Sequence, residues 1–105
     1  MYTFFSNQTA DGTSTAHKLD NDTNYYYVTV SGTMDGSLAM QEEDPITADQ
    51  WQAFYDVSAG AVVTASTVRS FVVFVPKGCN IRFVLSGSSS ASVSVTARPL
   101  DQAPR

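Results

Sequence analysis

The chain has 105 residues, of which 43% are hydrophobic, and its net charge is −4 at neutral pH. This length suits one domain with one core, and the hydrophobic fraction excludes a wholly disordered chain. Charged residues make up only 15% of the sequence. The bases are widely spaced, which argues against a nucleic-acid binder, because such proteins carry a dense basic stripe.

Cys79 is the single cysteine of the sequence, so no disulfide can form within the chain. No run approaches the roughly 20 apolar residues that a membrane helix requires. The first five residues lack the basic segment and long apolar stretch of a secretory signal. These features predict a protein that is made in a cytoplasm and kept there until it assembles.

The first half of the chain predicts a hairpin preceded by an irregular region. Residues 2–6 are apolar and indicate an N-terminal arm or an edge strand, and a polar loop follows as far as residue 24. Residues 25–31 predict a strand, because they are aromatic and β-branched. The Asp35-Gly36 pair is typical of a tight turn. Residues 37–41 are then expected to return as the partner strand, with Leu38 and Met40 facing the core.

The middle of the chain is acidic and less regular. Residues 42–48 predict a loop, since Pro45 interrupts any strand there. Residues 51–57 and 61–67 predict two further strands. In the first of them, Trp51, Phe54 and Tyr55 indicate a core tryptophan with another ring at the surface, or a platform on which a sugar stacks.

The last third contains three β-rich runs, residues 69–75, 79–85 and 91–97, separated by two turn signals. This pattern predicts a meander of antiparallel strands. The last run alternates strictly, so one face is expected to point to the core, formed by Ala91, Val93, Val95 and Ala97. With about eight short strands, the sequence predicts an all-β fold: a small antiparallel β-sandwich, Ig-like or jelly-roll-like, over residues 25–98. Residues 99–105 predict a polar tail.

The run 69–75 is apolar on both faces. Phe71, Val73 and Val75 lie on one face, and Val72 and Phe74 lie on the other. A strand in a sandwich of this size normally has one face in water. Either the N-terminal arm or a loop covers the second face, or another chain does.

No set of residues predicts catalysis. His17 is the single histidine, and no Gly-x-Ser-x-Gly motif accompanies it, so a solvated surface histidine is expected. Two carboxylates that face each other across a cleft can hydrolyse a glycoside, and the middle region is rich in acids, among them Asp35. Adjacent acids in a loop, however, are more often exposed to solvent than paired in a catalytic site. The sequence therefore predicts a protein that is not an enzyme, with no cofactor and no metal site.

Charge is distributed unevenly along the chain. Before Arg69 there is one base against nine acids, a net charge of −8, and from Arg69 onward five bases against one acid give +4, which together return −4. This asymmetry predicts that the acidic half of one copy meets the basic half of another. Such a head-to-tail contact closes into a ring when its rotation is cyclic.

A resemblance to a protein family rests on two stretches. Residues 27–36 contain Ser-Gly-Thr-x-Asp-Gly, and after Trp51 the chain continues with Val75-Pro-x-Gly-x-x-Ile-Arg-Phe-x-Leu-Ser-Gly-x-x-x-Ala-Ser-Val-Ser-Val. Over residues 25–97 this layout resembles the small β-sandwich decoration (cement) or minor virion proteins of tailed bacteriophages. The connection between residue 42 and Trp51 is longer than that layout suggests. The resemblance implies a protein of the outer capsid surface, often trimeric, that binds the major capsid protein and stabilises the shell.

The leading hypothesis is therefore a virion structural protein of the decoration type, a homo-oligomer with a trimer favoured, without nucleic-acid or membrane partners. The residues predicted to contact partners are Tyr2, Phe4, Phe5, Glu42, Glu43, Asp44, Arg69 and Arg82. One alternative is a carbohydrate-binding adhesin or fibre-head module, in which exposed rings stack on a glycan, namely Tyr25, Tyr27, Trp51 and Tyr55. Another is a different virion part, such as a neck, tail or fibre-base protein.

Overall fold

The computed structural model describes residues 1–20 and 23–100, and these residues form β-strands and no helix. The strands are β1 (Tyr2–Gln8), β2 (Gly12–Thr13), β3 (His17–Leu19), β4 (Tyr25–Thr33), β5 (Ser37–Glu43), β6 (Trp51–Ala53), β7 (Tyr55–Asp56), β8 (Ala61–Val62), β9 (Thr64–Ala65), β10 (Ser70–Phe74), β11 (Cys79–Ser86) and β12 (Ser92–Pro99). All the pairings between them are antiparallel.

The strands form two main sheets. Sheet A has the order β1-β12-β4-β10, and sheet B has the order β2-β11-β5-β6, with β3 also on β11 and β9 also on β5. Strands β2 and β3 both pair with β11 and therefore act as one interrupted strand. Strands β6 and β9 both pair with β5 and act as another. Between β6 and β9, strands β7 and β8 form a separate hairpin. Counted in this way, there are eight principal strands.

The pairing of these eight strands is nested. The first pairs with the last, the second with the seventh, the third with the sixth and the fourth with the fifth. Two sheets built from strands paired in this order form a jelly roll, in which an antiparallel ribbon wraps around the core. The predicted all-β class and small antiparallel sandwich are confirmed, and the order selects the jelly-roll form over the Ig-like one.

Two predicted pairings are wrong. Strand β4 does not form a hairpin with β5, because β4 lies in sheet A and β5 in sheet B. The three runs of the last third are not a meander either, since β10 and β12 flank β4 while β11 lies in the other sheet. Turn residues and alternation show where a strand ends and which face is buried. They do not show whether the next strand pairs alongside or crosses to the opposite sheet.

The core lies between the two sheets and is formed by the inward-facing residues of the strands. Leu38, Met40, Val93, Val95 and Ala97 are all buried there, as predicted. The remaining buried apolar residues are Phe4, Phe5, Leu19, Tyr26, Val28, Val30, Phe54, Ala65, Val73, Val75, Ile81, Phe83 and Leu85. Burying an apolar side chain of this size contributes about 1.5–3 kcal/mol, so this layer supplies the main stabilisation of the fold.

The N-terminal segment is an edge strand of sheet A, and the alternative of a free arm is wrong. Phe4 and Phe5 are both buried, although neighbouring residues of a strand normally face opposite sides. The reason is a register shift in the β1–β12 pairing between Thr3 and Phe5, which turns both rings inward. The Phe4 ring packs edge-to-face on Phe83 of sheet B, with 4.8 Å between the ring centroids.

Residues 1–20 supply strands to both sheets, so a separate N-terminal region before residue 25 is not what the structure shows. Leu19 of β3 is fully buried in the same core. At the other end, β12 extends to Pro99, and the N–H of Leu100 donates to the carbonyl oxygen of Tyr25 at 2.9 Å. The rest of the predicted tail, residues 101–105, lies outside the described residues.

We expect Phe4→Ala to lower the free energy of unfolding by about 3–5 kcal/mol, because it removes a buried aromatic ring that joins the two sheets. Urea denaturation followed by tryptophan fluorescence measures this change. The control is Tyr55→Ala, since the Tyr55 side chain is 53% exposed and its loss should cost little. Equal small effects of both substitutions would contradict the place of Phe4 in the core.

Candidate interaction surfaces

The doubly apolar run is an edge strand with one open face. Within residues 1–20 and 23–100, strand β10 pairs with β4 alone, and its Val73 side chain is fully buried. Val72 is 37% exposed on the outer face, and Phe74 is half-buried there. The N-terminal strand lies at the opposite edge of sheet A, so it does not cover this face. Covering of β10 by the N-terminal arm is therefore wrong, and so is the expectation of a central strand.

An aromatic surface, here called the sheet A patch, is formed by Tyr25, Tyr27, Val72, Phe74 and Arg98. Tyr25 pairs with Phe74 across the strands, and Tyr27 pairs with Val72 on one side and Arg98 on the other. The rings of Tyr25 and Phe74 meet edge-to-face at 5.3 Å, and the Arg98 guanidinium carbon lies 5.2 Å from the Tyr27 ring centroid. Both tyrosines are half-buried and lie side by side on the outer face.

The patch differs chemically from the rest of the same face. Towards the other end of the sheet, the outward side chains are hydroxyls, among them Thr29, Ser70, Ser94 and Thr96. The patch itself contains rings, one aliphatic side chain and one cation, and its cation–π contact holds Arg98 against Tyr27. An apolar surface with a polar border is typical of a site for another macromolecule.

A second arrangement, here called the sheet B platform, lies on the outer face of the other sheet. The Arg82 guanidinium carbon lies 4.2 Å from the Trp51 ring centroid, and Arg82 Nε donates to Gln41 Oε1 at 2.8 Å. Asn80 Nδ2 donates to Glu43 Oε1 at 3.0 Å. Trp51 is half-buried at the surface, so the expectation of a core tryptophan is wrong. The buried ring of this segment is Phe54 instead.

The acidic loop uses its carboxylates to hold itself together. Glu43 Oε2 accepts the Asp49 N–H at 2.9 Å. This hydrogen bond, the one from Asn80 and the nearby charge of Arg82 lower the pKa of the Glu43 carboxyl group. Asp44 Oδ1 accepts the N–H groups of Ile46 and Thr47 at 2.8 and 3.3 Å. Sequence reasoning assigned these acids to a neighbouring copy, whereas each of them already has partners in its own chain.

A cleft of about 740 Å³ lies beside this loop, and it brings acids and bases together. Its lining includes Lys18 and Lys77 as well as Glu42, Glu43 and Asp44. Arg82 also lies close to Glu43. At this cleft, Lys77 and Arg82 of the basic part of the sequence therefore lie near acids of the other part. The expected head-to-tail contact between an acidic half and a basic half stays a prediction.

The residues predicted to contact a partner do not form one surface. Phe4 and Phe5 are core residues, so the prediction is wrong for both of them, and Tyr2 is half-buried beside them. Glu42, Glu43, Asp44 and Arg82 do lie together, on sheet B. Arg69 precedes β10, and its guanidinium carbon lies 5.5 Å from the Phe71 ring centroid. Reasoning from the sequence named Tyr25 and Tyr27 only as glycan contacts and missed the surface that they form with other strands, because the register that joins them to Arg98 involves strands distant in sequence.

Two aspartates hold the loop between β11 and β12, a feature that sequence reasoning also missed. Asp11 accepts the N–H groups of Gly87 and Ser88 at 3.0 and 2.9 Å, and the Ser88 hydroxyl at 2.5 Å. Asp35 accepts the N–H groups of Ser89 and Ser90, both at 3.0 Å to Oδ2, and the Ser89 hydroxyl at 2.5 Å. The serine run at residues 88–90 could have indicated this contact, because the backbone N–H groups of a loop need acceptors.

The groups considered for catalysis have structural contacts. His17 is half-buried, and its Nε2 donates to the Thr3 carbonyl oxygen at 2.9 Å while its ring packs between Tyr2 and Phe4. The expected solvated histidine is therefore wrong. Burial, and then the charge of Glu42, raise the pKa of the half-buried Cys79 thiol. Within residues 1–20 and 23–100, no three His, Cys, Asp or Glu side chains are grouped to hold a metal ion.

Comparison of the chain with protein-family models, with curated proteins and with solved structures found no match. In the described part of the chain, no helix has the length and apolar character needed to cross a membrane.

We expect Asp35→Asn to lower the urea midpoint at neutral pH. Hydrogen bonds from the Ser89 hydroxyl and the N–H groups of Ser89 and Ser90 lower the pKa of the Asp35 carboxyl group below its ordinary value of 3.8. The carboxylate therefore stabilises the folded state above that value, and this contribution is lost as the pH falls through the lower folded-state pKa. The difference between wild type and variant should shrink accordingly at acidic pH.

Urea denaturation between pH 7 and pH 2 measures this dependence. The matched control is Asp49→Asn, an exposed aspartate in the acidic loop, where Asn also tolerates the positive φ of 63°. A midpoint difference for Asp35→Asn that stayed constant over the whole pH range would argue against the charged hydrogen bonds as its cause.

Proposed function

We propose that this chain is a bacteriophage virion structural protein of the decoration type, which binds the outer surface of the capsid shell and stabilises it without catalysing a reaction. The observation that carries the proposal is the sheet A patch, an aromatic and aliphatic surface beside an open sheet edge. Jelly-roll sandwiches are common in capsid proteins, which is an argument from analogy. The resemblance in layout over residues 25–97 supports the same assignment.

The proposed mechanism is the burial of the patch against the major capsid protein. Tyr27 and Phe74 would act as anchors, because large rings have low conformational entropy and bury much apolar area. Arg98, already held against Tyr27, would offer donors to carboxylates or carbonyl oxygens of the shell. Many copies on one shell would add their separate contributions, so modest binding by each copy would stabilise the whole particle.

Three further parts of this proposal come from the resemblance. The protein would be located on the virion surface after synthesis in the host cytoplasm. Its partners would be the major capsid protein and further copies of itself, with a trimer on the shell as the implied state. The number of copies bound together at each position of the shell tests that state.

Carbohydrate binding is a second candidate, and one observation favours it. Tyr25 and Tyr27 lie side by side on one sheet face, as rings that stack on a glycan must. Their outer surroundings include hydroxyl side chains such as Thr29, which could bond a sugar. A fibre-head or adhesin module would use the same patch for this purpose, so the two candidates differ in ligand and not in location.

The test is the double substitution Tyr27→Ser with Phe74→Ser, measured by co-sedimentation with shells assembled from the capsid protein encoded with this chain. We expect the dissociation constant to rise about tenfold or more, because truncation of anchor residues typically costs more than about 1.4 kcal/mol. The control, Tyr55→Ser, changes a ring that is 53% exposed on the separate hairpin and should bind as wild type.

The wild-type chain is also applied to a glycan array. Binding to a glycan that the double variant loses, without binding to shells, would replace the capsid proposal with the carbohydrate one. Unchanged shell binding by the double variant would contradict the assignment of the sheet A patch.

A further inference from the structure

The backbone of β10 has an open edge. The Arg69 carbonyl accepts the Val30 N–H at 3.0 Å, and the Val75 N–H donates to the Asn24 carbonyl at 2.7 Å. Because backbone groups alternate in direction along an antiparallel strand, the odd-numbered residues of this run face β4. The N–H and C=O groups of Ser70, Val72 and Phe74 therefore point away from the sheet. Strand β10 has no partner on that side among the described residues.

The other sheet edges carry features that discourage pairing with another chain. Strand β1 has two register shifts in its pairing with β12, and Asn7 within it has a positive φ of 55°. In sheet B, the edge strands are short, since β2 has two residues and β6 has three. The hairpin of residues 55–62 also separates β6 from β9, which lies along the same edge. Short strands, bulges and irregular edges are the usual protections. Strand β10 has five residues in regular register and no charged or proline residue.

We propose that β10 pairs antiparallel with β10 of a second copy of this chain, about a two-fold axis perpendicular to the sheet. An antiparallel pair is self-complementary, because each strand offers the other the same row of donors and acceptors. The two four-stranded sheets would become one sheet of eight strands. With Val72 of one copy opposite Val72 of the other, Ser70 would lie opposite Phe74. This inference does not depend on the proposed capsid function.

The charge distribution favours a second copy over a charged peptide. Neither β10 nor its neighbour β4 contains a charged residue. The four central strands of the joined sheet would therefore be free of like-charge repulsion. In the register centred on Val72, Arg69 lies opposite the uncharged Val75 of the second copy. An acidic or basic segment in the same place would find no opposite charge within the strand that it pairs with.

The size of the contact sets the expected affinity. Pairing through five residues and the outward Val72 and Phe74 side chains buries less than the roughly 1,000 Å² of a stable interface. The pair should therefore form in the micromolar concentration range or above, and not at nanomolar concentration. The two-fold axis keeps both outer faces on the same side, so the two sheet A patches would lie next to each other on one continuous surface.

The experiment combines the mass in solution with the exchange of single amide hydrogens. Sedimentation equilibrium of the full chain from about 1 µM to 1 mM should show a reversible monomer–dimer equilibrium. NMR hydrogen exchange should show the N–H of Val72 becoming protected as the concentration rises. The N–H of Val73, directed towards β4, should be protected at every concentration. A monomer at 1 mM, or an oligomer in which the Val72 N–H stays unprotected, would overturn the proposal.

Two variants separate backbone pairing from general surface effects. Val72→Lys places a charge on the open edge, and Val72→Pro removes an outward N–H that β4 does not use. Both should remain monomeric at 1 mM while keeping a cooperative unfolding transition. The control Val62→Lys changes a side chain that is 51% exposed on β8, and it should dimerise as wild type does. Dimerisation of both folded Val72 variants, or its loss in the control, would contradict pairing through β10.

The outcome is separable from that of the capsid experiment. Ser70→Pro also removes an outward N–H of β10, and it retains every residue of the sheet A patch. A monomeric Ser70→Pro variant that still binds shells would leave the decoration proposal intact. Loss of shell binding by Tyr27→Ser alone, a change on β4 and not on β10, with dimerisation retained, would leave the β10 contact intact.

Discussion

The packing of two sheets through one apolar layer is the interaction on which the rest of this structure depends. Each principal strand contributes inward residues to that layer, from Tyr26 and Val28 on β4 to Phe83 and Leu85 on β11. A chain of this length buries enough surface for one such core and no more. The strands wrap around it in a nested order, with the chain crossing between the sheets at most of its turns. Every exposed surface described above is the outer side of a strand whose inner side is committed to this layer.

Closing the sandwich leaves edges, and the chain treats them unequally. Bulges protect β1, and short interrupted strands protect sheet B, whereas β10 is regular and uncharged. The same strand carries Val72 and Phe74 outward, where they meet Tyr25 and Tyr27 of the adjacent strand. An open edge and an apolar face are thus combined at one side of one sheet. Both features favour assembly with other chains. The apolar face supports binding to the shell, and the open edge supports pairing with a second copy.

The acidic residues have a different role from that of a recognition surface. Asp11, Asp35, Glu43 and Asp44 all accept backbone N–H groups in turns and loops. Carboxylates suit this purpose, because charge-assisted hydrogen bonds satisfy donors that neither sheet can reach. The negative charge is therefore distributed over the connections at the two ends of the sandwich, and Lys18 and Lys77 lie beside it in the cleft. The sheet A patch, in contrast, is chiefly aromatic and aliphatic.

The sequence alone determined the all-β class, most strand positions and the inward residues of the regular strands, because alternation with period two depends only on local geometry. The faces of β12 and the core positions Leu38 and Met40 follow directly from that period. The sequence could not determine which strands pair, since the Asp35-Gly36 turn fits a hairpin and a crossing between sheets equally well. For the same reason it could not bring Tyr27, Val72 and Arg98 together, because they are distant along the chain and meet only in the register of sheet A. Tertiary structure decided these points, as the shared core selects the pairing that buries every inward face at once.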